Sequence, residues 1–212
     1  MEFEISNLKK ALIIIFAVLC LYGCENKEST ADSSESTAED VTESKVKREH
    51  KSMNANSLEN NLDKQDLVIE DGKYLIRSED AKSLYPDALQ AFIRNNTYKD
   101  IKDITFGFVA WDKNGLPIKI KQSIDFSDGE YFRGVKGEAV NIASGDLFGE
   151  ESGMEIKEGI DVEFFKPIVV SYEDFEGNTW ENKELKNFLK VYEGKRLKDI
   201  VGYENHVYNK NN

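Results

Sequence analysis

Two cysteines, two histidines and forty acidic side chains are the groups in this chain that could carry nucleophilic, metal or acid–base chemistry. Their spacing removes most of that chemistry. His50 lies in a polar stretch and His206 close to the end, neither on an element that would hold it rigidly. A Ser-His-Asp or Cys-His arrangement therefore lacks a preorganised base. Zinc and other transition metals ask for clustered His or Cys, and there is no such cluster in the sequence. No phosphate-cradling glycine loop or dinucleotide fingerprint is present either. Asp125-x-x-Asp128-x-Glu130 and Asp112-x-Asn114-Gly115 could offer oxygens to calcium, but neither completes an EF-hand loop. Asp, Asn and Gly are also the ordinary residues of turns. Two carboxylates could cleave a glycan, a chemistry decided by their separation in space. Trp111, Tyr172 and Trp180 could form a platform for sugar rings, yet all three fall in or beside strands and read better as core. The expectation is a chain with no catalytic residue, no cofactor and no metal.

The thiol with a defined context is Cys24. Lys9 and Lys10 precede an apolar run from Ala11 to Tyr22, and Gly23-Cys24 follows. A basic pair, a short apolar stretch and a small residue form a secretory signal. As a helix, twelve residues span about 18 Å, too little for a hydrocarbon core of about 30 Å. Leu21-Tyr22-Gly23-Cys24 resembles the lipobox of bacterial lipoproteins, although Tyr22 is bulkier than the residue usual there. The resemblance implies that the Cys24 sulfur takes a diacylglycerol and becomes the new N-terminus. Two acyl chains are what stable anchoring requires. Residues 1–23 are then a signal peptide, and the product is held on the extracellular face of the cell membrane. Cys20 leaves with the signal, so the mature chain has no thiol and no disulfide.

Residues 24–65 read as a disordered tether. Ser29–Ser44 is almost wholly Ser, Thr and acid, and buries too little apolar surface to offset its ordering entropy. About forty residues of coil reach roughly 35 Å. Lys45–His50 is a short basic island. Of the formal charge of −12, residues 1–23 contribute zero, 24–66 contribute −5 and the rest −7. An acidic domain is a poor partner for nucleic acid, whose binding rests on neutralising phosphates.

The elements that would position any site lie in residues 66–198. Leu67–Glu70 and Lys73–Arg77 read as strands around an Asp71-Gly72 turn, followed by a helical turn over Glu79–Tyr85. Ile101–Asp112 is apolar on both faces, which predicts a central strand covered on both sides. Asn114-Gly115 turns it into a return strand, Leu116–Gln122. Ser123–Phe126, Gly137–Ile142, Met154–Ile156 and Val162–Tyr172 are further strand candidates. Asn182 can cap a helix whose Leu185, Phe188, Leu189 and Tyr192 form one stripe, with Gly194 at its end. Residues 199–212 read as a loose tail. The fold class expected is mainly β: an antiparallel Ig-like β-sandwich with one C-terminal amphipathic helix.

Two blocks carry a second resemblance, Ile104–Ile120 and Ile168–Asn182. They resemble an uncharacterised domain found at the C-terminus of Gram-positive surface lipoproteins, over roughly Tyr85 to Leu197. The first block is also similar, more loosely, to FxLYD-type Ig-like domains of secreted bacterial proteins. The resemblance implies a sandwich at the cell surface and brings no activity and no catalytic residues. The expected function is a non-enzymatic binding or accessory module on the membrane, meeting a surface protein or wall polymer. The alternatives are a two-carboxylate glycan hydrolase and a passive spacer.

Overall fold

The structure is a computed structural model of the chain and describes residues 53–77, 85–150 and 152–211. The signal segment, Cys24, His50, the tether up to residue 52 and most of the turn expected over 79–85 lie outside the described residues.

The central strand forms where two apolar faces require it. It is β3 in chain order, Ile101–Trp111, and it pairs antiparallel with Phe164–Asp174, the strand β8, along nearly its whole length. Around this pair are gathered β4 (Pro117–Ile118), β5 (Arg133–Gly137), β9 (Thr179–Glu181) and β10 (Tyr208–Asn209), a six-stranded sheet. The second sheet has four strands: β1 (Leu67–Leu75), β2 (Ala88–Asn95), β6 (Leu147–Phe148) and β7 (Met154–Glu155). All strand pairs are antiparallel. Ile104, Phe106, Phe108 and Ala110 of β3 enter the core between the sheets, with Leu89, Ile93 and Phe165. Val109 and Trp111 enter a second core on the far face, against two helices, α1 (Ala55–Leu62) and α2 (Leu185–Tyr192). Strand alternation with both faces apolar thus places β3 between two layers. Mainly β, with two antiparallel sheets and a C-terminal helix, is the fold class expected.

Several elements differ from expectation. The tether does not extend to residue 65, because Ala55–Leu62 is helical. Asn54 caps it by accepting the Ser57 N–H at 2.9 Å, and Ala55, Leu58 and Glu59 are buried, one face of a helix. Its polar sequence hid it: two apolar contacts and a partnered Glu suffice once a sheet face is offered. The tail is not loose. Leu197–Asp199 is a 3-10 turn, Ile200 is buried, and β10 pairs with β8. Asp71-Gly72 makes no turn. β1 runs through it with a bulge between Ile69 and Asp71, and Asp71 Oδ1 accepts the Gly72 N–H at 2.8 Å. Gly72 serves close approach instead, since a Cβ there would meet the Tyr208 ring at 2.7 Å. Gly137–Ile142 is not the strand. β5 precedes it and Ile142 only bridges Ile101. Ser123–Phe126 is a loop, and the return strand after Gly115 shrinks to β4 and an Ile120–Glu130 bridge.

The β8–β9 turn shows how a carboxylate can serve the fold. Asp174 Oδ1 accepts the N–H groups of Glu176 (2.9 Å) and Asn178 (2.8 Å). Its Oδ2 accepts the Asn178 amide (2.8 Å) and the Lys99 ammonium (2.9 Å). The Asn178 amide first, then Lys99 and the backbone donors, hold this carboxyl well below the usual carboxylate range. A depressed folded pKa stabilises fully above the unfolded value of about 3.9, and the contribution is lost as pH falls through the folded value. Asp174→Asn should therefore flatten the acid limb of the stability profile, read as urea midpoints between pH 2 and pH 6. An unchanged acid limb would mean the turn holds without the charge.

Candidate functional site

The aromatic trio weighed above is not brought together. Trp111 is fully buried, and its indole N–H donates to the Lys195 carbonyl at 2.6 Å. Tyr172 and Trp180 stack with centroids 5.3 Å apart, half-buried beside a shallow hollow of about 210 Å³. The Tyr172 hydroxyl donates to Asp66 at 3.1 Å, and burial, with Asp66 behind it, pushes its pKa up to about 12. Asp112 serves its own turn, accepting the N–H groups of Asn114 (2.9 Å) and Leu116 (2.8 Å). Asp125 faces Arg133 at 3.2 Å, and Glu130 holds the same guanidinium at 2.9 Å. Each potential calcium ligand in these two sets that has a partner is thus tied to a turn or a base. His206 meets the Asn56 side chain at 2.8 Å. Among the described residues no three of His, Cys, Asp and Glu are placed so that together they could hold a metal ion.

A concave site forms where five chain segments meet, one of them at Ser123. It is a cleft of about 1170 Å³ lined by Tyr74 from β1, Tyr85–Asp87 ahead of β2, Ile156–Asp161 after β7, and Lys210 after β10. The Tyr74 hydroxyl donates to Asp87 Oδ2 at 3.1 Å, while the Arg77 N–H donates to Asp87 Oδ1 at 2.8 Å. The Lys210 ammonium lies 4.6 Å from the centre of the Tyr74 ring, within cation–π range. Burial first, then the charges of Asp87 and Asp161, push the Tyr74 phenol far above its ordinary value. It stays protonated at neutral pH, a donor and an apolar face rather than an acid or base. Tyr85 stands 59% exposed on the rim, and Lys157 and Glu158 put both signs of charge there. Such a surface can bind an extended ligand through ring faces and paired charges. None of these residues stands in a sequence motif. They come from segments up to 136 positions apart, Tyr74 to Lys210, so only the folded chain assembles them.

Beside the cleft, at Ser123, begins a loop with an inverted pattern. Ile124 is 83% exposed and Phe126 is 96% exposed, while the Asp125 carboxylate between them turns inward. The Asp125 N–H donates to Gln122 at 3.0 Å, Asp125 Oδ1 accepts the Ser127 N–H at 2.8 Å, and Ser127 Oγ accepts the Gly129 N–H at 3.1 Å. The Ile120–Glu130 bridge closes its base. The loop holds two large apolar groups in water while its backbone donors are paired behind them and Asp125 Oδ2 is buried beside Arg133 without a hydrogen bond.

Residues 88–195 match a domain family described as a family of unknown function, DUF5780. Among solved structures, the fold is similar to that of a hypothetical protein from Peptoclostridium difficile 630. The TM-score is 0.50 at 16% sequence identity, over 63% of this chain and 94% of that one. Among curated proteins none is significantly similar to the chain. The matched segment takes in β2 to α2 and leaves Tyr74 and Lys210 of the cleft outside it. With half its length in that match, the chain belongs to the DUF5780 family of unknown function.

Proposed function

We propose that this protein is a lipoprotein, anchored through Cys24 on the extracellular face of the membrane, and a non-enzymatic module that binds a surface protein or wall polymer. The observation that carries the binding role is the cleft around Tyr74, Tyr85 and Lys210. It offers aromatic faces, a protonated phenol and mixed charge, which suit recognition of an extended polar ligand. A two-carboxylate hydrolase would find Asp87, Glu158 and Asp161 in the same cleft. That chemistry calls for one acid kept protonated near neutral pH. Asp87 gives one oxygen to the Tyr74 hydroxyl and the other to the Arg77 N–H, a bracing role that favours binding over hydrolysis.

Crosslinking on intact cells tests the reading, with mass spectrometry of what is recovered on the protein. One dominant partner is expected, reduced at least tenfold by Tyr85→Ala with Lys210→Ala. Cys24→Ala should shed the chain from the membrane or leave it unprocessed. A processed Cys24→Ala chain that stays on the membrane sinks the anchor. A partner indifferent to the cleft substitutions sinks the assignment of the cleft.

A further inference from the structure

Ile124 and Phe126, on either side of Asp125 in one loop, are almost wholly exposed, and neither lines the cleft. We infer that the Ile124–Phe126 loop is a membrane-contact loop, which dips both side chains into the headgroup layer of the bilayer that holds the lipid anchor.

The inference rests on the anchor reading above and goes beyond it by naming a second contact with the same membrane. Four observations carry it. First, the exposure is built rather than incidental. Asp125 points inward to Arg133, and Ser127 and Gln122 lock the turn, so the two apolar groups cannot fold back without breaking that brace. Second, the area is small. Two such side chains offer roughly 300–400 Å², against about 800 Å² per partner in a stable protein interface. A second copy or a folded partner would need far more surface than this tip presents. Insertion to about 5–10 Å, the depth of interfacial contacts, needs only the tip.

Third, the chain supplies the proximity that so small a contact needs. Only 28 residues separate Cys24 from Met53, where the described structure begins. If they form the tether expected from their composition, they would reach roughly 30 Å. A tether of that order would keep the domain as a whole near the bilayer, at an effective concentration on the order of millimolar. Contact too weak for a free protein is then populated. Fourth, the loop together with its flanks, residues 119–133, is formally neutral in a chain of net charge −12. Residues 119–133 hold three bases (Lys119, Lys121, Arg133) and three acids (Asp125, Asp128, Glu130). Lys119 and Lys121 lie against Gly129, so their stems flank the base of the loop. Basic side chains of this kind bury their stems and keep the charge at headgroup level. The loop thus escapes the repulsion an anionic bilayer exerts on the rest of the domain. Docked there, it would fix the orientation of the neighbouring cleft, which shares Ser123 with it.

The test uses the full chain as its cell processes it, reconstituted on phosphatidylcholine–phosphatidylglycerol vesicles. An environment-sensitive fluorophore is attached to the thiol of Asp128→Cys, and sedimentation with the vesicles is measured in the same sample. The expected result is retention on vesicles, a blue-shifted emission, and quenching by bromine-labelled lipid chains. Ile124→Ser with Phe126→Ser should abolish the shift and the quenching and leave retention unchanged, because the lipid still holds the chain. Both residues are exposed, so the double variant keeps its fold. A retained chain with an unshifted, unquenched probe overturns the loop contact and leaves the anchor standing. A chain that stays in the supernatant overturns the anchor, and the loop contact with it. A shift seen on intact cells but absent on vesicles assigns the loop to another surface component and overturns the membrane as its partner.

Discussion

Glu59→Ala is expected to cost about 3–5 kcal/mol, the loss typical when one member of a buried ion pair is removed. Glu59 Oε2 lies 2.7 Å from the Lys166 ammonium, and the side chains are 8% and 6% exposed. Glu59 Oε1 accepts the Tyr192 hydroxyl at 3.0 Å. One carboxylate from α1 thus satisfies a cation on β8 and a phenol on α2. Its removal leaves the ammonium buried without its anion, and that desolvation dominates the loss. At about 2–4 °C per kcal/mol for a chain of this size, the melting temperature should fall by roughly 10 °C. The pair itself is a weaker source of net stability than that figure suggests. Glu59→Leu with Lys166→Met removes both charges and should recover most of the loss, because an apolar pair of similar volume needs no desolvation. Urea unfolding of the three chains decides the matter. A loss below about 1 kcal/mol for Glu59→Ala would mean that α1 is not held on the sheet, and the boundary between tether and domain would move back toward residue 66.

Trp111→Ala should destabilise by a similar amount, about 3–5 kcal/mol, for a different reason. The indole fills the layer between β3 and the helices, edge-on to Tyr192 with centroids 6.2 Å apart. Truncation opens a cavity there and also strands the Lys195 carbonyl, which accepts the indole N–H. Trp111→Phe keeps most of the volume and should cost less, about 1–3 kcal/mol, the value of leaving one buried acceptor unpaired. The two sites share Tyr192, so Glu59→Ala and Trp111→Ala should combine non-additively. Thermal melting with near-ultraviolet circular dichroism reads both effects. If Trp111→Ala left the melting temperature unchanged and abolished partner crosslinking, Trp111 would be a binding platform and not core.

What was legible in the sequence follows from periodicity and local chemistry. The two-faced apolar alternation of Ile101–Asp112 identified β3 and its central place, because strand geometry alone sends successive residues to opposite faces. The stripe Leu185, Phe188, Tyr192 and the terminal Gly194 identified α2 for the same kind of reason at a period of 3.6. Lipidation at Cys24 is likewise argued wholly from local residues, those around the thiol.

The rest needed partners distant in the chain. Ala55–Leu62 carries few apolar residues, and it is held as a helix on the sheet because Lys166 neutralises its one buried acid and Tyr192 hydrogen-bonds it, both over a hundred positions away. Tyr208-Asn209 is a strand because β8 offers an unpaired edge. Asp71-Gly72, a favoured turn pair, stays within β1, past a bulge, where Phe165 and Tyr208 press on the glycine and leave no room for a side chain. Ile124 and Phe126 alternate as a strand would, but no neighbouring strand takes their backbone, so they stand out in water. The cleft likewise exists only where five separate segments converge. Sequence by itself determined the elements whose driving force is local, the main strand, the second helix and the overall class. Tertiary structure decided the first helix, the last strand, the cleft and the exposed loop, because their free energy comes from contacts the chain makes only after it has folded.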